Sequence, residues 1–150
     1  MTELIREHAF LRGMEDAQCA LIAGCSRNIV FPAGSYIFRE GQPADAFYLI
    51  RHGHVALELY APGGAPFVLQ TLGPDEILGE TWIVPPYLCA FDARAMEQVR
   101  AFAFDATCLR GKAETDPALG YALMKRFVPI LLRHVHAARM QSLDVYGRRS

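Results

Sequence analysis

The chain has 150 residues, 52% of them hydrophobic, which is enough to bury a core within one domain spanning 1–150 and excludes a disordered tail. Lys+Arg 15 against Asp+Glu 16 leaves a net charge of -1, without the basic excess of a nucleic-acid or anionic-membrane binder. No apolar run approaches the roughly 20 residues that span a bilayer and Met1 to Arg12 has no signal core, so a cytoplasmic protein without membrane attachment is expected.

From Glu3 to Ala23 the apolar positions Leu4, Ile5, Phe10, Leu11, Met14, Leu21 and Ile22, with Glu15 and Asp16 placed for an early helical turn, predict a short pair of helices. From Asn28 to Phe104 the texture changes to runs of Val, Ile, Phe and Tyr punctuated by Gly34, Gly41, Gly53, Gly63-Gly64 and Gly73. Turn signals at roughly 7–12-residue intervals are the rhythm of an antiparallel sandwich or barrel. Strands are predicted at Tyr36–Phe38, Phe47–Ile50, Val55–Tyr60, Phe67–Leu72, Phe91–Ala95 and Val99–Phe104, with Pro62-Gly63-Gly64 as a hairpin loop. Val55, Leu57 and Leu59 alternate with Glu58 and Tyr60, so one face is expected inward and the other outward. The expected fold class is therefore α+β, mainly β: a jelly-roll or double-stranded β-helix over about 26–105 with helices at both ends.

The last third returns to helical rhythm. Asp116 before Pro117 marks a helix start, since Asp caps free N–H groups and Pro fits the first helical position. Over 117–145, Met124, Val128, Leu131, Val135 and Ala138 step in fours and threes, continued by Ser142 and Val145, which is the spacing of a coiled-coil seam. At about 1.5 Å per residue this helix is roughly 42 Å long, so part of it should project and meet a second copy, giving a homodimer. Pro129 is expected to kink or split it. His134 and His136, two apart, do not share a face and are expected to be solvated or interfacial.

Cys19, Cys25, Cys89 and Cys108 show neither C-x-x-C nor zinc spacing and are expected as buried thiols rather than disulfides. No G-x-S-x-G, Walker loop or nucleophile–base set occurs, so no enzymatic role is expected. His52-Gly53-His54 with Glu58 is similar to the first metal motif of cupins, but no histidine lies between His54 and His134 to complete it. The least regular stretch of the β region is LGPDEILGETWIVPPYLCAFDARA, Leu72 to Ala95. In it, Leu78-Gly79-Glu80-Thr81-Trp82-Ile83 reads as one helical turn opened by a glycine. Such a glycine lets backbone approach a ligand, and Glu80 can accept hydrogen bonds from a hydroxyl.

Gly34 and Gly41 flanking IFRE, then FYLIRHGHVALEL, then LGPDEILGE, then strands and a long helix, resemble the cyclic nucleotide-binding domain of the Crp/Fnr superfamily over about His8 to Gly147. The resemblance implies a regulatory domain whose cassette holds cAMP or cGMP: a Glu on the ribose hydroxyl, an Arg on the phosphate and a C-terminal helix that dimerises. Leu78, Gly79, Glu80, Thr81 and Trp82 match the first half of the cassette. Counting back from Ala93-Arg94-Ala95, the Arg position falls at or next to Cys89, in Leu88-Cys89-Ala90, where no cation stands. A charge-assisted bond to phosphate is worth about 1.5–3 kcal/mol, so nucleotide affinity should drop by one to two powers of ten. Arg94 is a candidate substitute. Trp82, Pro85, Pro86, Tyr87, Leu88 and Phe91 would make an apolar cassette, open to a hydrophobic effector or filled by its own side chains, with Trp82 and Tyr87 then belonging to the core. The expected function is a small-effector-sensing regulatory domain. The alternatives are a protein-interaction module with an unknown protein partner that binds no nucleotide, or a cupin-like metal protein. With Asp144 to Ser150 left beyond the seam, no direct DNA binding is expected.

Overall fold

In the computed structural model of the chain, residues 9–60 and 63–147 are described, with side chains except at 9, 138 and 141–147. A 3-10 turn at Ala9–Leu11 and helix α1 (Asp16–Ala23) precede the strands β1 (Ser26–Phe31), β2 (Tyr36–Phe38), β3 (Ala46–His52), β4 (Val55–Tyr60), β5 (Pro66–Leu72), β6 (Ile77–Leu78), β7 (Asp92–Ala95) and β8 (Val99–Asp105). A 3-10 helix, Glu80–Ile83, lies between β6 and β7, and helices α2 (Ala106–Thr115) and α3 (Pro117–Gly147) follow β8. The strands form two four-stranded antiparallel sheets, ordered β1-β8-β3-β6 and β2-β7-β4-β5. The α+β jelly roll read from the sequence is the observed architecture.

Period-two alternation puts both faces of the first sheet to use. On β3, Phe47 and Leu49 join the cluster that faces the helices, whereas Ile50 joins the cluster between the sheets. In the second sheet, Val55, Leu57, Ala93 and Ala95 face inward. Gly53, at φ 93°, turns β3 into β4 so tightly that a Cβ there would stand 2.5 Å from the Gln98 carbonyl oxygen. The expected outward face of β4 is solvated at Tyr60 but not at Glu58: Val55 to Glu58 are buried in succession, because Glu58 is covered on the outer side by Arg94.

Helix α3 starts where Asp116 and Pro117 predict, with Leu119 N–H donating to Asp116 Oδ1 at 3.2 Å. Its buried face is Leu119, Leu123, Phe127, Ile130 and His134. Pro129 neither kinks nor splits the helix, which is continuous across it. The proline is exposed, so water can take the Lys125 carbonyl it leaves unbonded, while Phe127 and Ile130 clamp the turn on either side. Of the seam, Met124, Val128 and Val135 are exposed and Leu131 is half-buried, roughly a third of a turn from the buried face. The side chains of Ala138, Ser142 and Val145 lie outside the described residues, as do residues 1–8 of the expected N-terminal helix pair and residues 61–62 of the hairpin loop.

One cysteine expectation is corrected: Cys25 and Cys108 form a disulfide, with Cα atoms 5.9 Å apart. Ser26 pairs with Phe104 across β1 and β8, and Asp105 N–H donates to the Cys25 carbonyl, so the residue before β1 meets the first turn of α2. Spacing along the chain carries no trace of that juxtaposition, which spans 83 residues. Cys19 and Cys89 are buried and take no part in the disulfide, as expected.

Candidate functional site

Leu78 ends β6 inside the roll, and Gly79 turns the chain at φ 89°. A Cβ at Gly79 would stand 3.0 Å from the Ala46 carbonyl oxygen and 3.2 Å from Phe47 Cα, so both the dihedral and the close approach to β3 require glycine. The 3-10 helix follows, as the sequence predicts, with Trp82 N–H donating to the Gly79 carbonyl at 3.2 Å. Thr81 is half-buried. The Trp82 indole is fully buried and stacks on Phe47 at 4.8 Å, so it belongs to the core, and only its backbone is left for a site. Its carbonyl accepts from Arg110 Nη1 at 2.6 Å, and the same guanidinium lies over the Tyr87 ring.

The second half of the cassette is pinned to the loop before β3. Cys89 N–H donates to the Gln42 carbonyl and Gly41 N–H to the Cys89 carbonyl, each at 2.8 Å, and Ala44 N–H donates to the Tyr87 carbonyl at 2.7 Å. Cys89 is buried with Sγ toward the Pro43 carbonyl, and Ala90 is exposed. Burial pushes the Cys89 thiol up to about 11, with the Glu80 and Asp45 carboxylates adding to the effect.

Glu80 is buried, and its carboxylate Oε1 lies 2.5 Å from Nδ1 of His134. His134 is therefore neither solvated nor at an exposed interface. It lies in the row formed by Phe127 and Ile130, and the edge of its ring meets Phe91 at 5.7 Å. This bond joins the cassette to α3 across 54 residues of sequence. Beside it is a cavity of about 250 Å³ whose lining includes Gln70, Leu72, Ile77, Ile130, Arg133 and His134. None of Leu78, Gly79, Glu80, Thr81, Trp82, Cys89 or Ala90 lines this cavity; Glu80 borders it through His134. Sequence reasoning missed Gln70, Arg133 and His134. The one available signal was that His134 continues the buried steps of Leu123, Phe127 and Ile130 by a further turn.

The other candidate groups lie elsewhere. Arg94 does not serve the cassette: Ala93 and Ala95 face the core, while Arg94 points to the outer face and donates Nε–H to Glu58 at 3.2 Å. There Asp92 accepts from the Glu40 N–H and pairs with Arg39, whose guanidinium covers the Tyr36 ring at 4.0 Å. A hydrogen bond to Tyr60 is the main reason the Tyr36 hydroxyl is pushed up to about 12. The cupin-like constellation is not assembled, because His54 is exposed on Glu97 at 2.6 Å while Glu58 is held by Arg94. Among the described residues no cluster of three or more His, Cys, Asp or Glu could hold a metal ion, and no helix is long and apolar enough to cross a membrane.

Residues 28–116 match the family model of the cyclic nucleotide-binding domain. Over 99% of its length the chain is 29% identical to a CRP-like cAMP-activated global transcriptional regulator of Mycobacterium tuberculosis, of which it spans 66%. Among solved structures, a protein of Geobacter metallireducens described as cyclic nucleotide-binding superposes with a TM-score of 0.79 at 30% identity, covering 90% of this chain and 98% of that one. The N-terminal domain of a Streptomyces coelicolor transcriptional regulator gives 0.69 at 26% identity, over 91% and 94% of the two chains. A two-sheet roll, a glycine-opened cassette ending in a buried glutamate, and a long helix laid against it, together with these matches, make the chain a member of the cyclic nucleotide-binding domain family.

Proposed function

We propose that the chain is a regulatory domain that senses a small effector, with cAMP or cGMP as first candidates, between the cassette and α3, and passes the outcome on through that helix. The observation that carries the reading is the Glu80–His134 bond. An effector hydroxyl that donates to Glu80 shares that carboxylate with the imidazole of α3, so its affinity depends on where α3 places His134, which is what coupling requires. Leu78 to Trp82, with Cys89 and Ala90, form the cassette wall. The exposed stripe of Met124, Val128 and Val135, flanked by Leu131, is the surface through which a homodimer would receive the signal, and Ala138 follows it in the sequence spacing. No catalytic role and no metal are part of this reading, and a cytoplasmic setting is.

Calorimetry of the full chain with cAMP, cGMP and cyclic dinucleotides tests it, with amide exchange along α3 as the second readout. Saturable binding that Glu80→Ala abolishes, accompanied by altered exchange in α3, is the expected result. Absence of heat and of any melting shift for every nucleotide favours the second reading, a protein-interaction module that binds none. The observation behind that reading is the pinned, cation-free segment at Cys89 and Ala90.

A further inference from the structure

Resting on the sensory reading above, we propose that α3 itself binds the anionic group of the effector, with the Arg133 guanidinium and Nε2 of His134 as donors, in the cavity of about 250 Å³ beside Glu80. No residue of the cassette from Leu78 to Ala90 is a cation. Cys89 and Ala90 are uncharged, Arg94 is held by Glu58 on the outer face, and Arg110 is engaged by the Trp82 carbonyl. Arg133, in contrast, lines the cavity and makes no hydrogen bond or ion pair with any described residue.

His134 supplies the second donor. The residue is 97% buried, being 3% exposed, and Nδ1 is engaged by Glu80. Its other nitrogen, Nε2, has no hydrogen-bond partner among the described residues, and the ring lines the cavity. A carboxylate on one imidazole nitrogen fixes the ring's orientation and tautomer and leaves the other nitrogen for a ligand. Glu80 is then a positioning residue: it accepts from Nδ1–H and supplies the buried counter-charge when Nε2–H donates to the anion. Arg133 adds its guanidinium, and because the Asp75 and Glu76 carboxylates on the same lining oppose an anion, the donors for the anionic group lie on α3.

The remaining lining narrows the ligand class. Asp75 and Glu76 also border the cavity, Glu76 accepting from the Gly73 N–H at 2.6 Å, and the amide Oε1 of Gln70 is buried without a partner among the described residues. The Gln70 amide oxygen and the Glu76 carboxylate favour an anion that also carries hydroxyl or amino donors. Leu72, Ile77 and Ile130 provide its apolar walls. The site therefore suits a compact hydroxylated phosphate or carboxylate, and a simple apolar effector leaves its polar groups unmet.

The test is imidazole ¹⁵N spectroscopy of the full chain titrated with inorganic phosphate and, separately, with cAMP, the His134 signals being assigned by their loss in His134→Gln. Phosphate is expected to move the His134 signals more than those of His52 or His54. Arg133→Gln, an exposed position whose replacement leaves the fold intact, should weaken that response about tenfold or more. Phosphate that leaves His134 unmoved, or a response that Arg133→Gln leaves unaltered, overturns the proposal. Binding of cAMP that survives both Arg133→Gln and His134→Gln also overturns it, while the sensory reading stands. Arg133-dependent phosphate binding without any nucleotide binding upholds this placement and removes the nucleotide from the sensory reading.

Discussion

The two apolar clusters of the fold are built from different kinds of side chain. On the helix side of the β1-β8-β3-β6 sheet, rings meet rings: Phe47 stacks on Phe104 at 4.7 Å and on Trp82 at 4.8 Å, and Phe127 of α3 meets Phe47 edge-on at 4.9 Å. Between the sheets the buried members are Ile50, Val55, Leu57, Leu72, Leu78, Ala93, Ala95 and Val99, with no ring among them. Facing sheets close to about 10 Å, and alanines on β7 suit that gap, whereas a helix crossing a sheet leaves room for large side chains. The consequence is a division of labour. Aromatic contacts tie α3 to the cassette through Trp82 and Phe127, at 5.3 Å, while the aliphatic cluster shapes the roll and meets α3 at its margin, where Leu72 lines the same cavity as Ile130 and His134. Ile77 and Leu78, adjacent in β6, serve one cluster each, and Glu80 follows at the boundary.

Truncating one large residue in each cluster should separate these roles. Phe127→Ala is expected to cost about 4 kcal/mol of stability in denaturant unfolding and to loosen α3 from the cassette, seen as faster amide exchange over its middle turns. Leu57→Ala is expected to cost about 3 kcal/mol, with α3 protection falling no further than the global stability does. Equal local loss of α3 protection in both variants would erase the distinction between the clusters.

That division also marks what the sequence could disclose. β2 and β4 are legible because aromatic and β-branched residues stand between turn signals, and the observed Tyr36–Phe38 and Val55–Tyr60 coincide with the predicted spans. β6 has only Ile77 and Leu78, too short for any periodicity, and β1 opens on Ser26-Arg27-Asn28, which reads as loop. α2 was missed although Asp105 caps it, its side chain accepting from Cys108 N–H, because Gly111 and a polar composition blur its face. In the site, the Gly79 turn is legible from local chemistry: one residue free to adopt positive φ, followed by an acid. The His134 contact is not, since a helical seam is read from apolar residues and the partner of a polar one is fixed by packing. Glu58 failed the alternation rule for the same reason, its cover coming from Arg94 on a neighbouring strand.

The Cys25–Cys108 bridge sharpens the comparison at a smaller scale. It closes a segment that runs through all eight strands, so reduction should restore chain entropy to the unfolded state and lower stability by about 2–3 kcal/mol. Both ends lie on the helix side of the first sheet, so Cys25→Ser with Cys108→Ser should bring that side closer to local opening and leave the roll interior protected. Thermal unfolding with and without a reductant, alongside the double variant, measures the effect. Identical melting curves would mean that the aromatic cluster already holds these ends together in the unfolded ensemble.

Cys89 gives the smallest effect and probes the cassette wall directly, because its thiol belongs to the helix-side cluster while its backbone is bonded to Gly41 and Gln42. Its folded value, raised mainly by burial from 9.0 to about 11, lies above that of the unfolded chain. A group shifted upward contributes stability that is complete below its unfolded value and is lost as the pH climbs through the folded one. Between about pH 9 and 11, therefore, the melting temperature of the wild-type chain should fall more steeply than that of Cys89→Ala, which has nothing to titrate there. Glu80→Gln should flatten the difference slightly by removing one of the two carboxylates that oppose the thiolate. Parallel decline of the wild-type and Cys89→Ala chains would place the thiol in contact with water. The 85–90 segment would then be free of the loop before β3, and an effector could reach the roll from that side without disturbing α3.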